Sequence, residues 1–364
     1  MTSDYVLVAD RDALDTQDIF RCLRAGTGEE LWSVRVLAQG QLDFGNAPRA
    51  TPQIAGDFVF FYNAFGQLLC VRLDTGETVW KKNLIAEFGA QGEHNAWGST
   101  SSPLVLGDQL IVNPGGSEAS IVALKVKTGE VIWKTPGSAA AFGSLIVGQF
   151  GGHREIVGHD KYALCGWDVN SGQRLWRLVP PRSDDFNVPT PIIVERPGKG
   201  NQLIVCTENN GTNLYRFDDA GQIVPEPVAV NRELAPDTHT PVLVGNRLVG
   251  VWQGLYCLEV PRKSPTGIHD GSSDSLRMVW KADDPAFDDY ATVIGSGNCA
   301  LIVSKHGELL LVDSAADQYR LISRLTVFDD DPGVYSHPAM VGTRLYLRGS
   351  DEIVCLELAD TPVR

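Results

Sequence analysis

One signal recurs along this chain at intervals of about fifty residues and limits the folds open to it more than anything else in the sequence: an apolar strand, a Gly-containing turn, then a tryptophan. It reads Ala25-Gly26-Thr27-Gly28-Glu29-Glu30-Leu31-Trp32, Asp74-Thr75-Gly76-Glu77-Thr78-Val79-Trp80, Lys127-Thr128-Gly129-Glu130-Val131-Ile132-Trp133 and Asn170-Ser171-Gly172-Gln173-Arg174-Leu175-Trp176. The indoles are 48, 53 and 43 residues apart. Beyond Trp176 the copies decay but keep register. Leu214–Gln222 is a fifth, with Ile223-Val224-Pro225 where the tryptophan should stand. Leu255–Glu259 opens a sixth, interrupted by a polar insertion from Pro261 to Ser275 before Trp280, which lies 104 residues after Trp176, or two periods. Leu309–Asp313 and Ile353–Glu357 mark a seventh and an eighth.

A second signal opens most copies: Thr51-Pro52, Ser102-Pro103, Thr190-Pro191, Thr240-Pro241 and His337-Pro338, each followed by apolar residues. Proline is tolerated at the start of a strand, where its missing N–H needs no ladder partner. Each copy therefore reads as four short strands, A after the proline, then B, C and a D strand carrying the tryptophan. Their nearly continuous apolar runs suit sheets covered on both faces. In the turns, Gly28, Gly76, Gly129 and Gly172 supply the positive φ that a short hairpin demands. The indoles Trp32, Trp80, Trp133, Trp176 and Trp280 are placed to cover the edge of the next sheet, with a backbone carbonyl there to take the indole N–H. Radially stacked four-stranded sheets are propeller blades, so the chain is expected to be an all-β, eight-bladed β-propeller, one domain over residues 1–364, with seven blades as the alternative. The first copy lacks an A strand and the last lacks a tryptophan strand.

Composition narrows the partners. With 31 Lys and Arg against 45 Asp and Glu, the formal net charge is −14, which repels nucleic acid and anionic membranes. No apolar run approaches the length of a membrane-spanning helix, and the first residues do not form a signal peptide. The seven cysteines include no Cys-x-x-Cys pair, so zinc-ribbon, thioredoxin-like and haem-attachment chemistry find no support. Cys22, Cys70, Cys257 and Cys355 hold like positions in strand C and are expected to be small buried core residues.

The strand, the Thr-Gly turn with its following tryptophan and the Ser/Thr-Pro opening resemble the tryptophan-docking repeat of pyrroloquinoline-quinone-dependent dehydrogenases and their non-enzymatic relatives. The blocks Ala50–Asp57 and Trp97–Val105, continued by Asn113–Ser117 and Ile121–Leu124, most resemble the quinone-like repeat proteins of planctomycete-type bacteria. The resemblance spans essentially the whole chain and implies eight blades, often in exported or periplasmic proteins. The dehydrogenases place two adjacent cysteines beside the cofactor, and this chain has no Cys-Cys pair and little length beyond the blades. No cofactor is therefore expected, pyrroloquinoline quinone with calcium being the alternative.

Ligands of propellers are expected on the face built by D-to-A and B-to-C connections. The longest, Ile85–Ser101, carries His94, Asn95 and Trp97. Arg49 precedes the second copy's proline and is a candidate to meet an anion. Asp184-Asp185-Phe186-Asn187, Asp283-Asp284 with Asp288-Asp289-Tyr290, and Asp329–Asp331 fall in like connections and read as a solvated acidic rim, without the spacing of a calcium loop. Asn187, Tyr290 and Tyr335 are further candidates, and His239 and His337, each just before a strand A, are expected to turn toward the channel. His153 and His159 are expected at a surface hairpin. There is no G-x-S-x-G elbow, H-E-x-x-H or P-loop. The function expected is a non-enzymatic scaffold binding a protein or peptide, the alternative being a quinone dehydrogenase or another enzyme on the same face.

Overall fold

The computed structural model describes residues 1–364 except 90–95, 199, 262–273, 289, 330–332 and 359–364. It is an all-β chain, an eight-bladed β-propeller of antiparallel blades with almost no helix. No helix among the described residues is long and apolar enough to cross a membrane. Two compact units contain four blades each: residues 1–190 with 219–222, and 191–218 with 223–364.

In the first unit, blade 1 has three strands, B (Tyr5–Arg11), C (Gln17–Arg24) and D (Glu30–Leu37). Blade 2 is complete, with A (Gln53–Ala55), B (Phe58–Tyr62), C (Gln67–Arg72) and D (Thr78–Asn83). So are blade 3, from Leu104 to Thr135, and blade 4, from Ile146 to Leu178. Strand A begins directly after the proline in blades 2 and 3, as the opening signal predicts.

Each D-strand tryptophan sits opposite a small residue of strand C. Trp32 faces Cys22, Trp80 faces Cys70, Trp133 faces Ala123 and Trp176 faces Gly166, and a bulge follows the small residue every time. A side chain on Gly166 would collide with the Trp176 ring. The small residue admits the indole, and the bulge's local kink and added twist re-aim the strand beside it. The indole then reaches the following blade. Trp32 Nε1 donates to Leu73 O at 2.9 Å and Trp80 Nε1 to Val126 O at 3.0 Å. The ring meanwhile lies on the turn glycine of that blade, so that a Cβ on Gly129, whose φ is +69°, would come 2.8 Å from Trp80 Cδ2. Trp176 is different: its Nε1 bonds Glu155 of its own blade at 2.7 Å, and Gly221, in the turn of the fifth copy, packs against that carboxylate.

A chain of hydroxyls ties the A segments together. Thr51 N–H donates to Ser102 Oγ (2.9 Å), Ser102 N–H to Ser144 Oγ (3.0 Å) and Ser144 N–H to Thr190 Oγ1 (3.1 Å). The Ser/Thr of the opening signal thus has a task distinct from that of the proline after it. Blade 4 keeps the hydroxyl, Ser144, although Leu145 replaces proline.

In the second unit, blade 6 pairs C (Leu255–Glu259) with D (Arg277–Ala282), placing Trp280 opposite Cys257, and Trp280 Nε1 donates to Ala316 O of blade 7 at 3.1 Å. Blade 5 lacks the tryptophan, and a clasp stands in for it. The end of the blade 6 insertion, Asp274–Ser275, pairs in parallel with D of blade 5 (Ala229–Asn231), and Asn231 Nδ2 donates to Leu276 O at 3.1 Å. Blade 7, from Ala291 to Thr326, has Ser323 in the indole position, opposite Leu311. Blade 8 has, among the described residues, strands A (Ala339–Val341), B (Arg344–Arg348) and C (Ile353–Glu357). One expectation is corrected here: Cys22, Cys70 and Cys257 are buried, but Cys355 is exposed, and among the described residues no strand with an indole pairs beside it.

Docking is separable from turn strain. Gly129→Ala is expected to lower the thermal midpoint more than Gly107→Ala, because Gly107 shares the left-handed conformation (φ +63°) but has no atom within 4 Å of where an added methyl would sit. The shared strain costs roughly 1–2 kcal/mol; the excess at Gly129 measures the indole contact. Equal midpoints in thermal denaturation would contradict it.

Candidate functional site

The connections between successive blades of the first unit meet in an aromatic cluster. Trp97, from the blade 2–3 connection, lies 5.9 Å from the Phe44 ring, 4.6 Å from Phe142 and 4.6 Å from Phe186. Those three come from the connections between blades 1 and 2, 3 and 4, and after blade 4. Phe44 is 86% exposed and Phe186 46%.

The backbone around these rings is held firmly. Asp43 N–H donates to Ala96 O at 2.7 Å, Thr100 Oγ1 to Phe142 O at 2.7 Å and Gly143 N–H to Asn187 O at 2.9 Å. Gly98 (φ +69°) lies so close to Ala64 that a Cβ would come 2.5 Å from its carbonyl oxygen, so this crossing requires glycine. Phe44 and Asn187 adopt φ of +62° and +56°. An aromatic residue in the left-handed region with its ring in solvent is disfavoured twice over, and such outliers concentrate at functional sites.

Arg49 Nη2 donates to Asp43 O (2.7 Å) and Gly45 O (2.6 Å), bracing the turn that displays Phe44. Asn187 is buried, its Nδ2 directed to Lys161 O at 3.4 Å and its Oδ1 without a hydrogen-bond partner. His94 and Asn95 lie outside the described residues. The connection that carries them begins with a short helix, Leu84–Phe88, capped by Asn83, where the sequence suggested only loop.

The second unit holds two smaller groupings. The Tyr290 and Tyr335 rings meet at 5.7 Å, tilted by 48°, with the Lys305 ammonium 5.8 Å from the Tyr335 ring, and burial pushes the Tyr290 hydroxyl up to about 12. His239 is buried, its Nε2 accepting from Val251 N–H at 2.8 Å. His337 lies near enough to lower the His239 pKa further, so these two candidates do come together.

The acidic rim is partly a misreading. Asp185 is buried beside His159, and Asp284 caps the turn Pro285–Phe287 while pairing with Arg324 at 2.9 Å. Asp289, Asp330 and Asp331 lie outside the described residues. His159 is buried too, not at a surface hairpin, because strand B of blade 4 runs through it into the core-facing end of the sheet. Among the described residues no three His, Cys, Asp or Glu side chains are grouped to hold a metal ion. The cysteines of blades 1, 2 and 6 lie beneath indoles.

Sequence reasoning found Trp97 but missed Phe44 and Phe142, and read Phe186 only as part of an acidic run. Their common signal is position, one aromatic per inter-blade connection, but they stand at unequal distances from the next hydroxyl.

A family model described as outer membrane protein assembly factor BamB (PQQ_2) matches residues 15–264. The chain belongs to this family. BamB from Moraxella catarrhalis superposes with a TM-score of 0.64 at 14% identity, covering 98% of both chains. A europium-containing methanol dehydrogenase gives 0.65 at 13% identity over 95% of this chain and 80% of its own. The quinohemoprotein alcohol dehydrogenase of Comamonas testosteroni gives 0.63 at 12%, over 95% and 70%. At such identities the likeness establishes the shared fold. A search of curated proteins finds no match.

The buried histidines set an acid limit. Burial lowers His159 and His239 from 6.5 to about 4. Between those values the unfolded chain binds more protons than the folded one, so their contribution to stability is lost as pH falls through that window. His239→Gln, whose amide oxygen can still accept from Val251, is expected to reduce the fall in thermal midpoint between pH 7 and pH 4.5 relative to the parent protein. An unchanged pH slope would contradict this.

Proposed function

We propose that residues 1–364 act as one propeller domain and as a non-enzymatic scaffold, and that the cluster of Phe44, Trp97, Phe142 and Phe186 is its contact surface for a protein or peptide. One observation carries the reading: four consecutive connections each contribute an aromatic ring to one patch, and the most exposed ring is held in a strained conformation that packing alone does not require. Rigid aromatic anchors lose little entropy on binding and dominate interface energies. The family's described member, an outer membrane protein assembly factor, acts in a process whose substrates are proteins, which favours the same reading.

A photo-crosslinking residue at position 44 or 186 is expected to trap one discrete protein in the native host. The same residue at Val131, on an outer strand, is expected to trap none. Trp97→Ala removes a central anchor of about 2 kcal/mol, so it should weaken binding of the trapped partner roughly 30-fold with an unchanged circular dichroism spectrum. Labelling that does not depend on position, or dye-linked alcohol or sugar oxidation after addition of pyrroloquinoline quinone and calcium, would point to an enzyme instead.

A further inference from the structure

We infer that a group of oxygen acceptors beside the Phe142 and Phe186 rings receives the ammonium group of a lysine side chain carried by the protein or peptide that binds the aromatic cluster. The inference rests on the scaffold reading and adds to it the chemistry of the partner.

The acceptors gather where the connection between blades 3 and 4 touches the one after blade 4. Gly143, next to Phe142, does not adopt the left-handed conformation, so its backbone does not call for glycine. Space does. A Cβ there would lie 3.0 Å from Asn187 O, 3.0 Å from Val188 O and 3.2 Å from Pro189 O, so three consecutive carbonyl oxygens crowd against one residue. Gly143 N–H supplies a single donor, to Asn187 O at 2.9 Å. Among the described residues neither Val188 O nor Pro189 O receives a hydrogen bond. The Asn187 side chain adds a fourth acceptor. It is 2% exposed, its Nδ2 reaches Lys161 O only at 3.4 Å, and its Oδ1 meets no donor. A buried acceptor left unpaired is costly, and carbonyl dipoles held with their negative ends together add to that cost until a donor or a positive charge offsets it.

An ammonium group offers three N–H donors and accepts none, which matches a place made of acceptors. Four oxygens crowded together suit that compact ion better than a planar guanidinium, whose donors lie in one fork. The charges nearby favour it. Asp185 is buried beside His159, and Asp184 is exposed next to it. His159 has no partner at Nδ1 and stays neutral near pH 7, since burial lowers it to about 4, so it brings no competing positive charge. Of the cations on these connections, Arg49 is engaged with the carbonyls of Asp43 and Gly45, the Lys161 ammonium lies 5.5 Å from the Tyr162 ring, and Arg182 stands exposed near the start of the connection after blade 4. The rings complete the fit: the faces of Trp97, Phe142 and Phe186 attract a cation and cover the aliphatic stem that carries it. Phe186, 46% exposed, is the ring that turns aside to admit the stem.

Peptides selected against the full chain from a random linear library, and kept when Trp97→Ala weakens their binding, are expected to share a lysine. Replacing that lysine by norleucine, which keeps the stem and loses the charge, should weaken binding about tenfold. Asn187→Gly removes the side-chain acceptor while tolerating the positive φ; it should weaken the lysine peptide severalfold and leave the norleucine peptide unchanged. Asn187→Asp should strengthen the lysine peptide alone. If Asn187→Gly weakens both peptides alike, the residue is merely structural and the inference is overturned. In the full chain carrying isotopically labelled asparagine, n-butylammonium should shift the Asn187 side-chain amide resonance and n-butanol should not; equal shifts, or none, would overturn it as well. Peptides that need Trp97 yet bind equally well with norleucine would overturn this inference and leave the scaffold reading standing, whereas failure to obtain any Trp97-dependent peptide would remove both.

Discussion

The contact between an indole and the turn glycine of the following blade organises this protein. In blades 1 to 3 it meets three needs at once: a small residue on strand C to admit the ring, a bulge beside it, and a glycine in the next blade against which the ring can lie flat, whereas Trp280 docks on a turn without glycine. Cys22, Cys70, Ala123, Gly166 and Cys257 meet the first need. The N–H then finds a backbone carbonyl, so a large, partly polar side chain is buried without an unmet donor in blades 1, 2 and 6. Each deviation shows how the arrangement fails and is replaced. Trp176 turns to Glu155, the tryptophan-less blade 5 takes a strand from the neighbouring insertion, and Ser323 fills the place in blade 7.

The repeat is legible because its chemistry is local. A glycine with positive φ, a proline that starts a strand and a tryptophan that ends one are all visible within a dozen residues, and together they specify blade count, strand order and docking direction. Cys355 escapes that reading for a non-local reason: whether a strand C cysteine is covered depends on an indole in a neighbouring strand and not on the residues around the cysteine. His159 and Asp185 escape it because polarity alone does not reveal which end of a strand or connection turns inward. Among the candidate site residues, Trp97 stands out by size and Tyr290 with Tyr335 by position, but the pairing of Trp97 with Phe44, Phe142 and Phe186 is made by connections of unequal length, and no spacing rule encodes it. The role of Arg49 is hidden similarly, since a guanidinium that braces carbonyls looks in sequence like one that awaits an anion.

The aromatic cluster inherits its rigidity from the scaffold beneath. The connections carrying Phe44, Trp97 and Phe142 each join blades that cannot shift without breaking an indole contact, and the hydrogen bonds from Asp43, Thr100 and Gly143 link one connection to the next. A surface so held presents its rings at little further entropic cost, which suits recognition by shape more than by adaptation. The strain at Phe44 is sustained by Arg49, whose two bonds to carbonyls clamp the turn from below.

The hydroxyl chain from Thr51 through Ser102 and Ser144 to Thr190 has a consequence for how such a chain can grow. Ser102 and Ser144 each give one N–H to the blade after and receive one from the blade before, so an inserted or deleted copy leaves the same head-to-tail bond at its boundary. Duplication of a blade is thereby neutral at this seam, and each copy is free to lose its proline, as blade 4 has, without unravelling its neighbours.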